Sequence, residues 1–139
     1  MREHRYRAWA KEYSTAPFKM YYFGCPEFEI LRYTEYGLQA GYYDSDGHFE
    51  SLYDLTLIQS TGLRDKNGKE IYEGDILKVI QFEPPWECVA SVKFSERCAS
   101  FKIGTEWNDM FLWYANEEGD LEITGNIFEN PELLKGGEG

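Results

Sequence analysis

This chain has almost no histidine, little cysteine, no long apolar run and a deficit of positive charge. Each shortage removes a class of chemistry. His4 and His48 are the two histidines, and Cys25, Cys88 and Cys98 are the three cysteines. The cysteines stand far apart with no C-x-x-C step, so a zinc site lacks its ligand spacing. Their odd number fits reduced thiols. Cys88 and Cys98 are placed to meet across a hairpin, although small buried hydrophobes are the plainer reading. No run is long enough to span a membrane, and no apolar stretch follows the charged N-terminus as in a signal peptide. The cytoplasm is the expected location. Fourteen basic residues against 25 acidic ones leave a formal charge of −11, which opposes a nucleic-acid backbone as main partner. Arg2, Arg5 and Arg7 crowd the N-terminus, but Glu3 interrupts them, so a solvated strand face is expected there.

Several catalytic patterns are also missing. No Asp or Glu is followed two positions later by Lys, as in many metal-dependent nucleases. Ser51 and Asp54 neighbour His48, yet no nucleophile elbow accompanies them. Glu27 and Glu29 alternate as a glycosidase pair would, but 25 acids produce such pairs by chance, and exposed strand faces account for them. Asp44-Ser45-Asp46-Gly47 begins like an EF-hand, but Leu55 stands where the bidentate acid belongs, so a hairpin turn is the better account.

What the chain does have is aromatic and β-forming residues. Its 139 residues suffice for one domain, read as 1–139. Period-two alternation predicts strands at 5–12, 18–24, 27–33, 38–44, 48–55 and 55–61, with a short helical turn as the alternative over 45–54. Further strands are expected at 76–82, 87–94, 98–104 and 121–129. Pro84-Pro85 breaks the first of these, and Ser95-Glu96-Arg97 joins the next two. Segment 107–115 reads as strand or helical turns, 116–120 as a turn, and 131–134 as a short helix opening on Pro131. Residues 136–139 are expected to fray. Residues 24–60 are less punctuated and are read as a variable lobe. No internal repeat is evident. The fold class that follows is mainly β: a small closed or partly open barrel, SH3-like or related, with additional hairpins and a short C-terminal helical turn.

The stretch 61-TGLRDKNGKEIYEGDI-76 is the densest in signals. Gly62, six positions before Gly68-Lys69, nearly matches a phosphate loop. However, Glu70 replaces the magnesium-binding hydroxyl, Asp65 would repel phosphate, and no helix pattern follows to aim amides at an anion. Asn67-Gly68 is instead a strong hairpin signal, since both residues tolerate positive φ, and Glu73-Gly74-Asp75 turns the chain into a strongly apolar strand. The charges at Asp65, Lys66, Lys69 and Glu70 are those of a solvated turn tip.

The segments YRAW (6–9), KMYY (19–22), TGLRDKNGKEIYEGDILKV (61–79) and ITGNIFENPELL (123–134) resemble the YopX family of phage and prophage proteins. Ala10 departs from the acidic or amide residue common after that tryptophan. The resemblance implies a small, mainly β, barrel-containing protein of phage or prophage origin in the cytoplasm of a bacterial host. It carries over no catalytic residue and no cofactor. Its recurring positions here are mostly turn formers: Thr61, Gly62, Asp65, Asn67, Gly68, Gly74, Asp75, Gly125 and Asn126. The expectation is a non-enzymatic module binding a host or phage protein, without metal or cofactor. Lys66, Lys69, Glu70 and Tyr72 are its candidate contact residues, because loops on rigid scaffolds often carry function. The competing readings are an acidic DNA mimic that occupies a basic host protein, an enzyme using paired carboxylates on a saccharide or nucleotide, and a barrel that stacks single-stranded nucleic acid on aromatics.

Overall fold

A computed structural model describes residues 6–82, 85–104 and 109–137. The described residues are mostly strand with little helix, so the expected class holds: mainly β, with a curled half-barrel sheet and a short helix. The chain divides into two compact units, Met1–Gln59 and Ser60–Gly139.

In the first unit β1 (Tyr6–Lys11) pairs antiparallel with β2 (Phe18–Tyr22) on one side. On its other side it pairs with the first half of β6 (Tyr53–Arg64). β3 (Ile30–Thr34), β4 (Gly37–Tyr43) and β5 (Phe49–Ser51) form a three-stranded meander. Alternation in β1 sends Ala8 and Ala10 into a core with Tyr21, Phe28, Ala40 and Leu52. Phe28 reaches this core from a turn, with its N–H donating to Cys25 O at 2.9 Å, so the strand expected from residue 27 begins only at Ile30.

One other expectation fails here. Arg7 is not on a solvated face: it is only 3% exposed, donates to the Tyr22 hydroxyl at 3.5 Å and lies over the Tyr22 ring. Arg2, Arg5 and His4 lie outside the described residues. Residues 45–54 hold a turn and strand, not the helical alternative, and the two strands expected at 48–55 and 55–61 are β5 and β6, divided at Leu52 rather than at 55. Asp54, just inside β6, forms a bulge. Its φ of 51° shifts the β1–β6 register between Trp9 and Lys11, and its carboxylate meets Lys11 Nζ at 3.3 Å.

In the second unit the later half of β6 pairs with β7 (Glu70–Tyr72). A five-stranded antiparallel sheet follows in the order β11-β10-β9-β8-β12. These strands are β8 (Asp75–Gln81), β9 (Trp86–Ser95), β10 (Ser100–Gly104), β11 (Asp109–Phe111) and β12 (Gly119–Asn126). Ile71, Leu77, Val79, Ala90, Val92, Ile103 and Leu121 make the core, closed by Leu112 and Ala115 of α1 (Leu112–Glu118). Those two lie three apart on one helix face. A seven-residue helix is not self-supporting, and this one has no side-chain cap. Tertiary burial holds it, with Leu112 alone contributing about 1.5–3 kcal/mol. α2 (Glu132–Gly137) begins just after Pro131.

Segment 109–118 is thus both strand and helix, and the turn expected at 116–120 is the end of α1 and the start of β12. Residues 107, 108, 138 and 139 lie outside the described residues, as does Pro84; Pro85 sits in a turn before β9. Cys88 pairs in register with Val79 of β8, whereas Cys98 lies in the β9–β10 turn, so the two do not meet. Cys98 is exposed, not buried, and all three thiols are free.

Candidate functional site

The 61–76 stretch folds as a bulge, a turn and a short return strand. Ser60 pairs with Tyr72 and Arg64 with Glu70, so β6 carries extra residues against β7. Hydroxyls replace the missing ladder bonds. Gly62 N–H donates to Ser60 Oγ, Leu63 N–H to Thr61 Oγ1, and Thr61 Oγ1 donates to Ile71 O at 2.7 Å. Thr61 and Gly62 are therefore bulge formers rather than turn formers.

The turn itself spans Asp65 to Lys69. Gly68 N–H donates to Asp65 O at 3.0 Å, and Asp65 N–H donates to Lys69 O at 2.8 Å. This is a three-residue loop, a type I turn followed by one residue at positive φ. Only Gly68 (φ +83°) takes positive φ; Asn67 does not. Asp65 is the organiser. Its Oδ1 accepts the N–H of Asn67 and of Lys69, both at 2.9 Å. Its Oδ2 accepts the N–H of Ile123 in β12 at 3.0 Å. Beside it, Lys66 N–H donates to Leu121 O at 2.8 Å. Burial pushes the Asp65 carboxyl up, but the three backbone donors and the Lys69 charge outweigh it and hold the pKa below the usual value. Asp65 is thus no turn-tip charge: it is 6% exposed and staples the hairpin to β12.

Among the candidate contact residues, Lys66 and Lys69 are exposed and Glu70 is half-buried. Lys66 Nζ lies 3.7 Å from Glu122 Oε1, and Arg64 Nη1 donates to Gly68 O at 2.8 Å. Tyr72 does not belong with them. It is 4% exposed, and its N–H donates to the buried Asp75 Oδ2 at 2.8 Å, which fixes the turn at Gly74. Gly125 and Asn126 serve the exit from β12. Asn126 Oδ1 accepts the N–H of Phe128 and Glu129, and a Cβ at Gly125 would meet Asn130.

A second copy of the turn stands at Asp44 to His48, and sequence reading did not recognise it as a repeat. Gly47 N–H donates to Asp44 O at 3.0 Å, Asp44 N–H to His48 O at 2.9 Å, and Asp44 Oδ1 accepts Asp46 and His48 N–H at 2.9 Å each. The shared pattern is Asp-x-x-Gly-x. Here side-chain donors of Asp44, Asp46 and His48 gather within 4.8 Å, the one such group among the described residues. Asn67 and Lys69 fill the matching positions of the other turn, so the turn does not require these residue types.

Sequence reading also passed over an aromatic surface. Trp113 and Tyr114 project from α1 beside Glu117 and Glu118, a pattern visible as two aromatics four positions ahead of two glutamates.

A family model described as YopX protein matches residues 5–135. The YopX protein of Bacillus subtilis is similar in structure, with a TM-score of 0.68 and 22% identity, covering 94% of this chain and 97% of that one. A protein of Enterococcus faecalis is similar with a TM-score of 0.56 and 26% identity, covering 94% and 96%. No curated protein matches the chain.

Proposed function

The chain belongs to the YopX family, and we propose that it acts as a non-catalytic accessory protein of phage or prophage type that binds a host or phage protein. The observation that carries this reading is the stapled hairpin. Asp65 and the Lys66 N–H tie its base to β12, while Lys66, Asn67 and Lys69 face outward. A tip already ordered in the free protein loses little entropy on docking, so its polar groups add to affinity rather than spending it on ordering.

The test is affinity capture from bacterial host lysate, comparing wild type with a Lys66→Glu/Lys69→Glu double variant. The variant should melt within a few degrees of wild type, because exposed turn charges contribute about 0–1 kcal/mol. Retained proteins should be depleted in the variant at matched loading. Turnover on a phosphodiester or glycoside panel, abolished by one acidic substitution, would overturn the non-catalytic reading.

A further inference from the structure

We propose that the outward face of α1 is a docking surface for an arginine- or lysine-bearing segment of a protein partner; this rests on the protein-binding reading and gives the partner its chemistry. α1 buries Leu112 and Ala115 and turns its other side chains out. Trp113 is 49% and Tyr114 44% exposed. Trp113 is not loose: it stacks on Phe111 at 6.0 Å and 16°, and meets Tyr114 edge-on at 5.9 Å. Phe82, also exposed, borders the C-terminal end of the helix, where its N–H donates to Glu118 O at 3.5 Å. Three large aromatic side chains therefore stand in solvent around one short helix.

Charge complementarity identifies the occupant. Glu117 and Glu118 are exposed one turn beyond Trp113 and Tyr114, at the spacing that puts each acid on the same face as its aromatic. They also occupy the last turn, which holds no basic residue. A helix C-terminus carries partial negative charge, so two carboxylates there work against the helix that bears them. Packing does not demand them, since both face water. The result is aromatic faces beside concentrated negative charge, the setting in which a guanidinium or ammonium gains both ring and carboxylate contacts. The chain shows the chemistry nearby: Lys102 Nζ lies 5.2 Å from the Phe111 ring centre. Nucleic-acid phosphates and anionic lipids would be repelled. A second copy is a poor occupant, with 14 basic residues against 25 acidic ones.

The test is a titration of the isotope-labelled protein with a peptide of alternating arginine and glycine, followed by amide and indole resonances. The Trp113 indole and the amides of 113–118 should shift saturably, and less at high salt. Glu117→Gln/Glu118→Gln should weaken binding by about three- to ten-fold, as should Trp113→Ala. The glutamine variant should melt no lower than wild type, since it relieves the repulsion at the helix end, so its loss of binding cannot be misfolding. Unmoved α1 resonances, unchanged affinity of the glutamine variant, or equal binding of a glutamate–glycine peptide would each overturn the proposal. If the glutamine variant captures the same lysate protein as wild type, this surface is refuted while the protein-binding reading stands. A catalytic activity would remove that reading without altering the titration.

Discussion

Replacing Asp65 by alanine should cost far more than replacing Asp44, although the two residues organise the same turn. Each carboxylate accepts two backbone N–H groups within its own loop. Those donors lie at an exposed tip, where water takes over when the carboxylate is removed. Losing them should cost about 0.5–1.5 kcal/mol, and that is the expected effect of Asp44→Ala. Asp65 adds the Ile123 N–H, 58 positions away in sequence, from a largely buried position. A charge-assisted bond of that kind is worth about 1.5–3 kcal/mol, and its loss leaves a strand donor poorly solvated. Asp65→Ala should therefore cost about 2–4 kcal/mol. The pH dependence separates the two further. The folded pKa of Asp65 lies below its unfolded value of about 3.9, so its contribution is complete above that value and disappears as pH falls through the folded pKa. The deficit of Asp65→Ala relative to wild type should be constant near neutral pH and shrink below about pH 4. Urea denaturation of both variants between neutral and acid pH measures these differences. Equal losses for Asp44→Ala and Asp65→Ala would refute the staple. A deficit that grew on acidification would refute its electrostatic basis.

Gly68→Val should destabilise by about 1–3 kcal/mol in thermal melts, because φ of +83° strains a β-branched residue even though open space surrounds the site; an unchanged melting temperature would contradict it. Gly74→Ala should cost at least as much, since φ is +88° and the new Cβ would come within 2.8 Å of the Phe128 ring. In thiol labelling of the native protein at about pH 8, Cys98 should react first, with Cys25 and Cys88 following more slowly, since both are half-buried and desolvation pushes their thiols up. Three equal rates would exclude that difference.

The strands were legible because their signal is local: alternation in β1, β8 and β9 and turn residues between them. What misled was any residue whose environment is set by distant parts of the chain. The boundary between two strands was expected at 55, yet the chain breaks at Leu52, and Asp54 enters β6 as a bulge set by pairing with β1. Arg7 reads as solvated, yet Tyr22 covers it from the neighbouring strand. Asn67-Gly68 signals a two-residue turn, but the Asp65 carboxylate gathers the Asn67 and Lys69 amides and makes it three. Tyr72 looks like an aromatic at a hairpin edge, and only its partner Asp75 reveals that it points inward. At the candidate site, the exposure of Lys66 and Lys69 at the turn was legible in the sequence. The Asp65–Ile123 bond was not, because nothing near Asp65 names a residue 58 positions on.

The two Asp-x-x-Gly-x turns separate what the motif does from what its place in the fold does. The backbone geometry is the same in both, to within about 0.1 Å in the shared hydrogen bonds. Turn formation alone therefore requires only the Asp and the Gly. Everything beyond them is free to vary, and it does: Ser45, Asp46 and His48 in one copy, Lys66, Asn67 and Lys69 in the other. The first set makes an acidic, histidine-bearing tip and the second a cationic one, on a chain whose net charge is −11. Among the described residues, only the cationic copy is tied to a distant strand. Rigidity was thus added to the tip whose exposed charges oppose the sign of the rest of the molecule. A turn needing only to reverse the chain gains nothing from that bond. A tip that docks on a partner gains from every degree of freedom removed in advance, so the protein-binding proposal is placed on Lys66 and Lys69 rather than on residues 44–48.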